Sequence, residues 1–91
     1  MMGIETIRRD IDKIDNEIIG LLARRANLVE TVAEIKKDRS QVRDEKRIGE
    51  VISMVRTQAE KTGIDPDFAE ELYRTIIEYF VSFEMKKFEK E

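Results

Sequence analysis

The chain contains no cysteine, no histidine and no tryptophan, with one proline and four glycines in 91 residues. Without cysteine there is no disulfide framework and no thiol chemistry. Without histidine there is no His-based metal centre and no Ser-His-Asp triad. No apolar run reaches the length of a membrane span. The N-terminal residues lack the apolar core of a secretory signal, so a cytoplasmic protein is expected. Seventeen basic and 20 acidic residues give a net charge of −3 and are mixed along the whole chain. With no basic arm or patch, nucleic acid is not an expected partner. Charged residues make up 41% of the chain. Asparagine and glutamine are sparse, a balance that leans towards a heat-adapted source. The length suits one domain, 1–91, with a modest core of its own.

What the chain does have is helical periodicity. Ile4, Ile7, Ile11, Ile14, Ile18, Leu21, Arg25, Leu28, Val32 and Ile35 recur every three or four residues. This is the spacing of a helix that buries one seam against other helices. A second stripe runs beside it through Ile19, Leu22, Ala26, Val29, Ala33 and Lys36. One helix over about residues 5–38 would be about 50 Å long at ~1.5 Å per residue. A compact chain of this size has a radius of gyration of only about 12 Å. The helix therefore overhangs any core its own chain can make, and an intertwined homodimer is expected.

After a short polar loop, Asp44 reads as the N-cap of a second helix over about 45–62, with Ile48, Val51, Ile52, Val55 and Ala59 on one face. Gly63 suits its C-terminal end. Asp65 then Pro66 open a third helix over about 66–88. Its expected inward residues are Ala69, Leu72, Tyr73, Ile76, Ile77, Phe80, Phe83 and Phe88. The charged residues 86–91 are expected to fray. The fold class is all-α, with one very long N-terminal helix and two shorter ones.

Several polar residues break this pattern. Arg25 sits in the apolar seam, where it is either a register-fixing buried charge or a binder of carboxylates, which its planar fork suits. Lys36 follows it by about three turns on the same face. Two long cations about 16 Å apart along the axis can converge on one small anion. Lys37 next to it reads as a solvated helix end. Asp44 is a cap by default, whereas Arg47 opposes the helix dipole and can point at an anion instead. Glu84 follows Tyr73, Ile77 and Phe80 at helical spacing, company that favours the neutral acid, unless it swings out to water. Arg8 lies roughly 25 Å from Arg25 along the helix, too far to share a site with it in one chain. In an antiparallel dimer it can reach the partner's site. Cations without a nucleophile or a metal cluster suit binding a small dianion, or a reaction that needs only restraint and charge stabilisation.

Ile7-Arg8-Arg9-Asp10-Ile11, Leu21-Leu22-Ala23-Arg24-Arg25, Ile35-Lys36, Val42-Arg43-Asp44-Glu45-Lys46-Arg47 and Leu72-Tyr73-Arg74-Thr75-Ile76-Ile77-Glu78 together resemble the all-helical chorismate mutases. The resemblance covers nearly the whole chain. It implies an intertwined homodimer of three-helix chains with two shared sites, and the rearrangement of chorismate to prephenate in aromatic amino-acid synthesis, without a cofactor or metal. It implies that Arg8 from the partner chain and Arg25 grip the two carboxylates and that Lys36 faces the ether oxygen. Arg47 adds positive potential, and Asp44 holds the ring hydroxyl. Lys36, Glu84 and Arg25 are the expected catalytic residues.

Three positions depart from that pattern. Ile48 stands where an acid that binds the hydroxyl is often found. Phe80 replaces a small polar residue. Glu84 replaces a glutamine that donates to the ether oxygen, a task Glu84 can perform only when protonated. Ile48, Phe80 and Glu84 are nevertheless expected to line the substrate site. Ile48 and Phe80 also resemble the isochorismate-pyruvate lyases of the same fold, which carry apolar or aromatic residues near these two positions, whereas Asp44 favours the mutase. A non-catalytic helical dimerisation or regulatory module is the third alternative.

Overall fold

The computed structural model of the chain describes residues 3–36 and 38–89. Three α-helices and one short 3-10 turn make up its regular structure: α1 (Ile4–Ile35), the turn Arg39–Gln41, α2 (Glu45–Thr62) and α3 (Pro66–Glu89). The all-α architecture agrees with the periodicity. The expectations for Lys37, Lys90 and Glu91 fall outside the described residues.

Helix α1 is 32 residues long, which corresponds to about 48 Å at ~1.5 Å per residue. It makes the molecule elongated, with extents of 57 × 27 × 16 Å and a radius of gyration of 16.5 Å. A compact chain of this length would have about 12 Å. The helix ends at Ile35, three residues before the expected boundary at 38, because Lys36 adopts an extended backbone (φ −66°, ψ 138°). From that position its ammonium donates to the Val42 carbonyl at 3.4 Å and to the Glu84 carboxylate at 3.1 Å. These contacts are made across space, so they leave no trace in local propensity.

The punctuation between helices has identifiable causes. Asp44 caps α2 by accepting the Arg47 backbone N–H at 3.1 Å, which satisfies one of the donors a helix start leaves orphaned. Gly63 closes α2 in the left-handed conformation, φ 89°, which costs a residue with a Cβ more than it costs glycine. Asp65 accepts the Asp67 N–H at 2.9 Å as α3 opens on Pro66. The α2–α3 hairpin that results packs Val51 and Ile52 on Ile77, with Ile48, Val55, Tyr73 and Val81 around them. Ion pairs stitch its two ends. Arg56 pairs with Asp67 at 3.0 Å and Glu70 at 2.9 Å, and Arg43 pairs with Glu78 at 2.8 Å.

The last third of α1 lies against the C-terminal half of α3, where Ala33 is buried and Glu30 pairs with Lys87 at 3.2 Å. The second apolar stripe supplies this contact: Leu22, Ala26 and Val29 are half-buried beside Ala33. The primary seam does not. Ile4, Ile7, Ile11, Ile14, Ile18, Leu21, Leu28, Val32 and Ile35 are all exposed, up to 74% at Ile35. Leu72, expected to face inward, is exposed as well. It lies on α3, which has no third element against that side among the described residues.

Candidate functional site

Where α1, the 38–44 loop, α2 and α3 meet, they enclose a cavity of about 330 Å³ whose walls include Arg25, Lys36, Asp44, Arg47, Ile48, Phe80 and Glu84. Val29, Val32, Val42, Val51, Ile77 and Val81 complete it with apolar surface. Its size and its few convergent polar groups on apolar walls fit a small-molecule site.

Each polar group reaches the cavity for a local reason. Arg25 projects from α1 one turn before Val29, on the part of the helix that packs on α3. Its guanidinium carbon stands 4.7 Å from the centroid of the Phe80 ring. Its Nη1 is buried and has no hydrogen-bond partner among the described residues. A buried N–H without an acceptor costs about 1–3 kcal/mol, so Arg25 carries an unmet donor at the wall of the cavity. Lys36 leaves the helix axis where α1 ends, and its ammonium faces Glu84, 8% exposed on α3. The apolar surroundings expected for Glu84 are thus only half of its environment. Lys36, 48 residues away in sequence, supplies a hydrogen bond to its carboxylate. Such a largely buried pair is weak support for stability, because desolvation offsets most of its attraction. Its placement at a cavity wall is the more informative feature.

Asp44 and Arg47 enter at the start of α2. Asp44 spends one carboxylate oxygen on the cap, and the other lies outside that bond. Arg47 is exposed and pairs with Glu50 at 3.6 Å. From the first turn of α2 it also lines the cavity. Ile48 from α2 and Phe80 from α3 contribute apolar wall. The structure thus brings seven of the eight candidate residues together.

Arg8 is the eighth. It lies far along α1, exposed, with Glu5 at 3.5 Å as its ion-pair partner. Seventeen residues separate it from Arg25, about 25 Å of helix, and it does not reach the cavity of its own chain. Sequence reasoning did not single out Val42, which is 4% exposed. It lines the cavity and gives its carbonyl to Lys36. A valine in a polar loop carries no pattern signal, and only its isolation among charged neighbours could have marked it.

Arg43, which does not line the cavity, spans Glu45 at 2.7 Å and Glu78 at 2.8 Å. The bond to Glu45 first, then that to Glu78, raises its guanidinium above the ordinary arginine value. This cation is held by carboxylates and serves the fold. Arg25, with no carboxylate beside it among the described residues, is the opposite case.

The cavity so assembled sets cations and hydrogen-bond donors on apolar walls, with no nucleophile of the thiol or imidazole type in the chain. Comparison with known proteins agrees with this chemistry. The family described as chorismate mutase type II matches residues 7–85. An isochorismate pyruvate lyase of Pseudomonas aeruginosa is 29% identical over 84 residues, covering 92% of this chain and 83% of that protein. A chorismate mutase of Methanocaldococcus jannaschii is 31% identical over 74 residues, covering 80% of this chain and 75% of that protein. The match spans α1, both loops, α2 and nearly all of α3, with the whole cavity inside it, and the chain belongs to the chorismate mutase type II family.

Proposed function

We propose that this protein is a chorismate mutase that works as a homodimer with two shared sites, converting chorismate to prephenate for aromatic amino-acid synthesis in the cytoplasm. The observation that carries the reading is the pair Arg25 and Lys36 on one small cavity, with the Arg25 Nη1 buried and unpaired. A dicarboxylate supplies the missing acceptors. In this reading Arg25 takes one carboxylate, and Arg8 of the partner chain takes the other. Arg47 adds positive potential, and Asp44 accepts the ring hydroxyl.

The rearrangement is unimolecular. The ether C–O bond breaks while a C–C bond forms between the enolpyruvyl arm and the ring, and no proton is transferred. The protein therefore has two tasks. One is to hold the arm over the ring, which saves conformational entropy. The other is to stabilise negative charge that develops on the ether oxygen. Lys36 donates to that oxygen. Glu84, already within 3.1 Å of Lys36, can donate to it as well when protonated, since an ionised carboxylate only accepts. Elongated shape and an exposed seam support the dimer: a row of aliphatic side chains left in water along α1 is the kind of patch that marks an interface.

A second reading, elimination of pyruvate from isochorismate, is favoured by the apolar walls Ile48 and Phe80 and by the similarity to the Pseudomonas lyase. Asp44 at the cavity favours the mutase. The deciding experiment is to follow prephenate from chorismate and pyruvate from isochorismate with the same purified protein, from pH 4.5 to 8.5. Prephenate without pyruvate supports the mutase, and pyruvate alone moves the assignment to the lyase. Neither product, together with no thermal stabilisation by chorismate, leaves a non-catalytic helical dimerisation module.

A further inference from the structure

Arg25 raises a question of mechanics that the assignment of the site leaves open. A guanidinium on a four-bond stem has several rotamers and five N–H donors. In an apolar stripe such a group is normally fixed by a carboxylate, as Arg56 is fixed by Asp67 and Glu70. No carboxylate holds Arg25 among the described residues. What stands beside it is the ring of Phe80, 4.7 Å away.

The ring is itself fixed. Phe80 is 6% exposed. Tyr79 meets it edge-on at 5.0 Å and 86°, and Phe83 does so at 5.9 Å and 73°. Edge-to-face neighbours define a ring's tilt as well as its position. The face it presents to Arg25 is the negative pole of its quadrupole, which attracts the cation without occupying any N–H. A carboxylate in the same place would hold the guanidinium more strongly but would neutralise its charge and consume its donors. The buried, unpaired Nη1 is what a cation held by a ring face retains.

We propose that Phe80 is a positioning residue: its ring face carries the Arg25 guanidinium and fixes the direction of its donors towards the carboxylate of the bound substrate. The role rests on the reading of the cavity as a dicarboxylate site, and it adds a specific function for a residue otherwise seen as apolar wall. Since the carboxylate is bound before and during the reaction alike, losing the alignment weakens ground-state and transition-state binding together and appears in KM.

The test compares Phe80→Leu, which keeps apolar bulk without a ring face, with Phe80→Tyr, which keeps the face. Folding of each is checked by circular dichroism, KM and kcat are measured with chorismate, and Kd is measured by calorimetry with a cyclic ether dicarboxylate of chorismate's shape that cannot rearrange. The stacking is read separately from the NMR shifts of the Arg25 side-chain protons, which the ring current moves upfield. Phe80→Leu is expected to raise KM and Kd about five- to thirtyfold, the fold-change of a partly desolvated cation–π contact, with kcat changed less than threefold. Phe80→Tyr recovers most of the lost affinity and the upfield shift, which Phe80→Leu lacks. Unchanged KM and Kd in Phe80→Leu, an equal loss in both variants, or no ring-current shift in the wild type each overturns the positioning role. A wild type that neither binds nor converts chorismate instead refutes the reading of the cavity, and the Arg25 shifts still decide whether Phe80 holds the guanidinium.

Discussion

Two arginines on one helix give the sharpest test of whether the site is shared between chains. Arg25 lies in the cavity and Arg8 lies about 25 Å away along α1. If each site takes Arg25 from one chain and Arg8 from the other, Arg8→Ala and Arg25→Ala homodimers each have two defective sites. Truncating one partner of a desolvated charge pair costs about 2–5 kcal/mol, which is roughly 30- to several thousandfold in kcat/KM. Each variant alone is therefore nearly silent. When the two are mixed at equal concentration, unfolded and refolded together, half of the dimers are mixed by random pairing. Each mixed dimer has one site with both arginines and one with neither. Activity is expected to return to about one quarter of wild type, counting one good site in half of the dimers. The assay is prephenate formation at fixed total protein, with the unmixed variants taken through the same refolding. Recovery to no more than the mean of the two variants refutes a site shared across chains, and so does an Arg8→Ala protein with full activity.

Three further outcomes follow from the same structure. Ile14 is 55% exposed in the middle of the seam, and Ile14→Asp places a charge on both sides of the proposed interface. Light scattering is expected to show monomer where wild type gives dimer, with activity lost in parallel; a fully dimeric, active variant would refute the seam as interface. Glu84→Gln places an amide N–H donor beside Lys36, so its prephenate rate is expected to equal or exceed that of the wild type. A Glu84→Gln rate well below the wild type would remove donation at this position from the mechanism. Glu70 accepts from Arg74 and Arg56, and these bonds hold its carboxyl below the ordinary glutamate value, the Arg74 bond contributing most. A depressed folded-state value means stability that is fully present above the unfolded glutamate pKa of about 4.3 and lost as pH falls below it. Glu70→Gln is thus expected to flatten the acid side of the melting curve below about pH 4.5, and an unchanged acid limb would contradict this.

The parts of the fold legible from sequence are those governed by local chemistry. Asp44, Gly63, Asp65 and Pro66 mark helix ends because each solves a backbone problem within a few residues of itself. The α1 periodicity is legible because a helix repeats every 3.6 residues whatever lies against it. Periodicity does not say which of two adjacent stripes meets the chain's own core. The primary seam is the stripe left in water, while the weaker one, through Ala26, Val29 and Ala33, packs on α3. Small side chains permit the close approach, and the larger isoleucines are left for something else to cover. The candidate residues stood out as charges among aliphatics, and three of them, Arg25, Lys36 and Glu84, line one cavity. The Lys36–Glu84 contact and the Phe80 ring beneath Arg25 were not legible. They join residues 48 and 55 positions apart, and nothing local selects such a pair.

The early end of α1 connects fold to chemistry most directly. A helix continued to residue 38 would keep Lys36 on a helical face with its backbone N–H and C=O in the ladder. Stopping at Ile35 instead turns the chain at Lys36 and starts the loop that brings Val42 and Asp44 back to the cavity. Lys36 keeps one helical bond, its N–H to the Val32 carbonyl at 3.1 Å, so the residue is anchored while its side chain is redirected. Its ammonium then holds both the returning loop, through the Val42 carbonyl, and α3, through Glu84. One lysine thereby joins three elements at the wall of the cavity. Replacing it by methionine would remove the donor and loosen the loop that carries Asp44 at the same time. Its effect on rate is therefore expected to exceed that of Glu84→Gln, which preserves a hydrogen-bonding partner for Lys36. Prephenate assays on the two single variants and the double variant decide this. A double variant no slower than Lys36→Met shows the pair acting as one unit, and strictly additive losses show that the two side chains act independently.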